Sequence, residues 1–222
     1  MIMKKNTLIA IWSILMLFNV SCSKKENGKI LIKGAIYDSR SGVYVDNANV
    51  NIATKKANQG VYTSAYSSLG SAITNTSGRY EFDFKFEKYV DYRMTIKKEN
   101  YIEKTEIVSA DYTSINVPLL MPTIDLTPSG YYKVRVRSQF PFDETDFMRF
   151  DVLNANFNDC DCCRNISFTH VGTNFDTTYK CLSYAQQFLF FQLKTIKNGN
   201  ETIKIDSIFI ASGDTTFVEV LF

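Results

Sequence analysis

The chain has 222 residues, with Lys+Arg 25 against Asp+Glu 23, a formal net charge of +2, one histidine and one tryptophan. Nucleic acid asks for a concentrated basic footprint, which this balance does not supply, so no nucleic-acid partner is expected. The lone His170 narrows proton-shuttle chemistry near neutral pH, and no cofactor or resident metal is expected either.

In chain order, Lys4 and Lys5 precede the run Leu8 to Phe18, eleven residues of mainly apolar character. A membrane-spanning helix needs about 20 such residues, so the run has the form of a secretory signal with a charged start and a short apolar centre. Loss of residues 1–21 takes Lys+Arg from 25 to 23, equal to Asp+Glu at 23, and leaves a formally neutral chain. Trp12 goes with it while all thirteen tyrosines stay, so stacking on a sugar face falls to tyrosine.

Phe18-Asn19-Val20-Ser21-Cys22 resembles the lipobox of bacterial lipoproteins, in the looser form found in Bacteroidetes. Ser21 and Cys22 match it, and Asn19 stands where an aliphatic residue is usual. The resemblance implies cleavage before Cys22, lipidation of its thiol, and a tether over residues 22–28. One acyl chain holds a protein only marginally, and several make attachment stable. The expected address is the cell envelope, with a lipid anchor in the outer membrane. Only Glu26 follows Lys24-Lys25, which leaves the periplasmic face and the cell surface both open.

Residues 29–122 read as short strands between turns. Tyr80, Phe82, Phe84 and Phe86 alternate with Glu81, Asp83 and Lys85, a period of two that gives one buried and one wet face. Ile30-Ile32-Gly34-Ile36, Ala48-Val50-Ile52 and Tyr92-Met94-Ile96 repeat it, and segments at 103–108 and 115–121 follow. Turn signals at 38–42, 75–78 and 99–100 separate them. About seven short strands so spaced argue for a β-sandwich. The polar stretch Ala53 to Leu69, which holds Tyr62 and Tyr66, reads as a long loop. It is either a solvated loop or a binding loop on a rigid scaffold.

Three motifs in this stretch resemble the carboxypeptidase regulatory-like, transthyretin-like β-sandwich. They are Gly34-Ala35-Ile36-Tyr37-Asp38, then Gly42 to Ile52, then Thr74-Asn75-Thr76-Ser77-Gly78-Arg79-Tyr80-Glu81-Phe82. Tyr44 replaces the family's proline, and Asn47 and Asn100 replace glycines. Asparagine tolerates positive φ better than other non-glycine residues, so those turns are expected to form. The resemblance implies a structural module without chemistry of its own. The zinc-binding His-x-x-Glu of carboxypeptidases is missing. The hydroxyisourate-hydrolysing relative needs several histidines and a terminal Tyr-Arg-Gly-Ser, and this chain has one histidine and ends Glu219-Val220-Leu221-Phe222.

Pro118, Pro122 and Pro128, three of the four prolines, mark a boundary. Residues 130–222 then alternate again through Tyr132-Val134-Val136 and Met148-Phe150-Val152. Gln187 to Leu193 is a near-continuous apolar run, expected to be buried on both faces or bulged. Asn198-Gly199 marks a hairpin, with strands at 203–205, 208–210 and 217–221. A second antiparallel β-sandwich, immunoglobulin-like in type, is expected here. Cys160, Cys162, Cys163 and Cys181 all fall within it. In an oxidising compartment they are disulfide candidates in any of three pairings. Each pairing links Cys181 across a loop of roughly 20 residues, worth ~3 kcal/mol in the chain-entropy model.

The fold expected is therefore all-β, two antiparallel sandwiches in tandem after a lipoprotein signal. The function expected is that of a non-enzymatic envelope lipoprotein that binds a protein, peptide or glycan, as an accessory to uptake or adhesion. Two alternatives stay open: metal binding through the cysteine cluster, and a hydrolase using carboxylates such as Asp143, Glu144 and Asp146.

Overall fold

A computed structural model describes residues 28–58, 61–62, 64–85, 89–114, 116–141, 143–154 and 167–222. The first part of the chain supplies β1 (Lys29–Asp38), β2 (Val43–Tyr44), β3 (Asn49–Asn58), β4 (Val61–Tyr62), β5 (Ser67–Ile73), β6 (Arg79–Lys85), β7 (Tyr89–Lys97), β8 (Lys104–Ser109), β9 (Pro118–Leu120) and β10 (Ile124–Asp125). The rest supplies β11 (Ser129–Arg137), β12 (Phe147–Val152), β13 (Ser167–Val171), β14 (Asp176–Tyr184), β15 (Gln187–Lys197), β16 (Asn200–Ile210) and β17 (Thr215–Leu221). The protein is all-β; one 3₁₀ turn, Ala110–Tyr112, is the exception among the described residues.

Two sheets enclose the first core. One is built around β1, which pairs with β2, β6, β9 and β10; the other carries β5, β3, β7 and β8 as neighbours. Alternation decides what faces inward. Ile30, Ile32, Ile36, Tyr80 and Phe82 from the first sheet meet Val50, Ile52, Tyr92, Met94 and Ile96 from the second. Each such side chain fully removed from water contributes about 1.5–3 kcal/mol. Asn47 and Asn100 adopt φ of 47° and 62°, so the two asparagines take the positive φ their turns require.

The second core lies between β14-β11-β17 and β13-β12-β15-β16. Tyr132, Val134, Val136, Cys181 and Val220 pack against Met148, Phe150, Val152, Leu189 and Phe191. The two cores adjoin through backbone bonds and one arginine. Ser129 N–H donates to Asn100 C=O (2.7 Å) and Ile102 N–H to Thr127 C=O (2.9 Å). Arg40 Nη1 donates to Ala185 C=O (3.0 Å) and to Gln187 Oε1 (2.9 Å), with its guanidinium 5.2 Å from the Tyr184 ring centre.

The structure departs from the sequence-based expectation at several places. The stretch 53–69 is largely strand, because β3 runs on to Asn58 and β4 and β5 pair back onto it. Its polarity misleads because ladder bonds are made by the backbone, and Thr54, buried in the wall, satisfies its hydroxyl on Asp91 C=O at 2.7 Å. The run Gln187 to Leu193 is neither bulged nor buried on both faces. Leu189 and Phe191 point into the core, while Phe188 and Phe190 are 54% and 46% exposed, since a second sheet covers only one side. At the C-terminal strand Val218, Val220 and Phe222 face inward, while Phe217 and Leu221 are exposed. Three pairs are parallel: β1 with β9, β1 with β10, and β11 with β17. Alternation fixes which face is buried and is silent about the direction of the neighbouring strand.

Candidate functional site

The outer face of the β5-β3-β7-β8 sheet carries a contiguous polar surface. The strand parity that buries Tyr92, Met94 and Ile96 turns Asp91, Arg93, Thr95 and Lys97 outward. Across the ladder Ser71, Asn51, Thr95 and Thr105 stand in one row, since Asn51 pairs with both Ser71 and Thr95, and Thr95 with Thr105. Asn51, Arg93, Thr95, Lys97, Glu103 and Thr105 line a shallow depression of about 440 Å³.

Tyr66 stands at one end of this surface. Its ring lies 4.2 Å from the Arg93 guanidinium carbon and 4.6 Å from Lys55 Nζ. A cation over an aromatic face is attracted by the ring quadrupole, so Tyr66 holds the Arg93 guanidinium from one side. Lys55 also reaches Asp91 at 3.9 Å. Arg93 Nε and Asp91 Oδ1 are buried without a hydrogen-bond partner. Lys97 and Glu103 form an ion pair at 2.9 Å across the groove mouth. The groove therefore presents hydroxyl and carboxamide groups, a fixed guanidinium, one further cation and one carboxylate. That set donates and accepts hydrogen bonds at close spacing, and Ile107, exposed opposite Arg93, stands on the same face.

Tyr66 lies beside the groove, in contact with Arg93 and Lys55. Tyr62 lies in β4. Arg93, Thr95 and Lys97 were visible in the sequence only as the wet face of a strand. Nothing in a single strand shows that Asn51 and Thr105 join them; that follows from the ladder.

Cys22, Cys160, Cys162 and Cys163 lie outside the described residues, and Cys181 is buried on β14. Among the described residues no three His, Cys, Asp or Glu side chains converge on a metal-sized site. Asp143 Oδ1 accepts from both the backbone N–H and the hydroxyl of Thr145 at 2.8 Å, and these bonds hold its carboxyl below the usual range. Buried Asp146 accepts from Asp143 N–H (3.2 Å) and lies 3.7 Å from Lys197 Nζ. These carboxylates fold the 143–146 turn. A general acid needs a raised pKa, and that of Asp143 is lowered. His170 stacks on Phe175 with ring centres 3.8 Å apart and meets Phe222 edge-on at 5.8 Å. Its Nε2 is buried without a partner, so its role is aromatic packing at the end of the second core.

No protein-family profile matches the chain, and no curated protein matches it in sequence. Among solved structures it is similar to (S)-allantoin synthase at 14% identity and a TM-score of 0.30, over 46% of this chain and 43% of that one. It is similar to a minor pilin of Streptococcus agalactiae at 10% identity and a TM-score of 0.36, over 86% and 94% of the two chains. A streptococcal ancillary pilin gives 10% identity and a TM-score of 0.34, over 88% of this chain and 63% of its own. Likenesses of this size carry no argument about the role of the chain.

Proposed function

We propose that the chain is a lipid-anchored envelope protein that binds a glycan on the outer face of its first sandwich and performs no chemistry. The division into a module at 29–122, of the carboxypeptidase regulatory-like type, and a second at 130–222 is part of this reading, as is the anchor at Cys22. The groove at Arg93 carries it. Two threonines, an asparagine, an arginine, a lysine and a glutamate in one depression match a polyhydroxylated ligand, whose hydroxyls both donate and accept. The six lining side chains are all polar or charged, and Ile107, 64% exposed opposite Arg93 on the same face, offers an apolar contact for one face of a sugar ring. The sequence supports the anchor through Ser21-Cys22 after a short apolar run. No helix among the described residues is long and apolar enough to cross a membrane.

The test is co-sedimentation of the full chain with insoluble peptidoglycan, alongside a printed array of bacterial surface glycans. Binding to at least one glycan is expected. Arg93→Ala should weaken it at least ~10-fold, the scale of one or two lost charge-assisted hydrogen bonds. Tyr66→Ala should weaken it less and Tyr66→Phe hardly at all. Retention of full binding by Arg93→Ala, or no binding to any glycan, would end this reading.

A further inference from the structure

The strand β16 ends its sheet, with β15 on one side and no strand beside residues 200–208 on the other among the described residues. The β15–β16 hairpin turns at Asn198-Gly199, both at positive φ (49° and 75°), with Lys197 opposite Asn200. A two-residue hairpin makes those closing residues a hydrogen-bonded pair. Even-numbered residues of β16 therefore bond to β15, and odd-numbered backbone groups face away. Three contacts agree. Ile210 C=O accepts from Gln186 N–H, beside β15, at 2.7 Å. Phe209 C=O, on the far side, accepts from Thr216 Oγ1 at 3.0 Å. Ser207 N–H, also on the far side, donates to Asp206 Oδ1 at 2.8 Å. The open edge therefore carries N–H and C=O of Ile203 and Ile205, and C=O of Ser207. Such an edge is a template for another strand.

Ile203 and Ile205 are 54% and 63% exposed. The charges between Ile203 and Ser207 are Lys204 and Asp206, which touch each other at 2.8 Å and remain largely in solvent. We propose that β16 pairs with β16 of a second copy, antiparallel about a two-fold axis through Ile205. Odd residues must meet odd residues across this edge, so a symmetric ladder can centre on any residue from 203 to 207, and centring on 204 or 206 sets Lys204 against Lys204 or Asp206 against Asp206. Centring on 207 places Ile205 opposite the partner's Phe209, whose carbonyl is already held by Thr216. Centring on 203 places Lys204 opposite an uncharged threonine. Centring on 205 places Lys204 opposite the partner's Asp206 and Asp206 opposite the partner's Lys204. It also sets Ile205 against its own copy and Ile203 against the partner's Ser207. Opposite charges directly across a ladder are favourable and like charges are not. The self-complementary triplet Lys204-Ile205-Asp206 thus selects one register and one occupant. The ladder runs from 203 to 207 on each copy, with Ser207 N–H passing from the Asp206 carboxylate to the partner's Ile203 carbonyl.

The experiment measures the mass of the full chain by light scattering in detergent, for wild type, Lys204→Asp, Asp206→Lys and a mixture of the two variants. Wild type should be a dimer. Either variant alone places four like charges at the axis and should raise the dissociation constant about 10- to 100-fold, by reversing two cross-strand pairs. The 1:1 mixture restores both attractions and should return the dimer mass, a rescue that a misfolded variant cannot give. Sharing of a detergent micelle does not depend on the sign of residues 204 and 206. A monomeric wild type would overturn the proposal, and so would variants that dimerise alone as well as mixed, or a mixture that stays monomeric.

Discussion

Placing a methyl group on Gly34 should destabilise the first sandwich through one ring. Gly34 lies opposite Tyr80 in the β1–β6 ladder, and the Tyr80 side chain folds across it. A Cβ at this position would sit 2.4 Å from Tyr80 Oη, 2.6 Å from Cζ and 2.9 Å from Cε1. Carbon atoms prefer roughly 3.5–4.0 Å, so the ring must move by about 1 Å. It has little room: Tyr80 is 4% exposed, its ring lies 5.8 Å from Phe82 and its hydroxyl donates to Met94 Sδ at 3.8 Å. Overpacking of this kind costs about 1–3 kcal/mol. The reduced entropy of the unfolded chain offsets about 0.4–1 kcal/mol of that. A net loss of about 1–2 kcal/mol lowers the melting temperature by roughly 2–8 °C for a chain of this size. The decisive assay is a double-mutant cycle in urea with Tyr80→Leu. Without the ring, Gly34→Ala should be neutral or slightly stabilising, giving a coupling energy of about 1–3 kcal/mol. An equal cost in both backgrounds would refute the argument that the ring is what requires glycine here.

Burial, helped by the charge of Glu106, pushes the Tyr80 hydroxyl up to about 12 from 10.0. The folded chain then holds a proton that the unfolded chain releases first, so this contribution is whole below pH 10 and is lost as pH rises to 12. About 2–3 kcal/mol should disappear over that window; urea midpoints for wild type and Tyr80→Phe should converge there, and parallel curves would contradict the assignment. Arg40→Ala removes two hydrogen bonds and a ring contact between the cores, and should lower stability by about 1–2 kcal/mol in thermal melts. Arg40→Lys should not restore it, because an ammonium cannot reproduce the planar fork over Tyr184.

What the sequence determined was which residues are inside and where the chain turns. Strict alternation at Tyr80-Phe82 and Tyr92-Met94-Ile96 marks buried faces because a strand repeats every two residues. Asn47, Asn100 and Asn198-Gly199 mark turns because few residues accept positive φ. Alternation weakens where apolar residues occupy both faces, so Phe188 and Phe190 were indistinguishable from Leu189 and Phe191. Polarity misleads where a strand has one wall exposed, as at Lys55 and Ser67–Ile73. Only the tertiary structure decided the neighbours. It brought Asn51, Arg93, Thr95 and Thr105 onto one surface from three strands. It set Tyr66 against Arg93, laid β17 parallel to β11, and left β16 at an edge. Those facts depend on which backbone bonds to which. Backbone hydrogen bonds are nearly blind to the side chains they carry, so a single sequence does not spell them out.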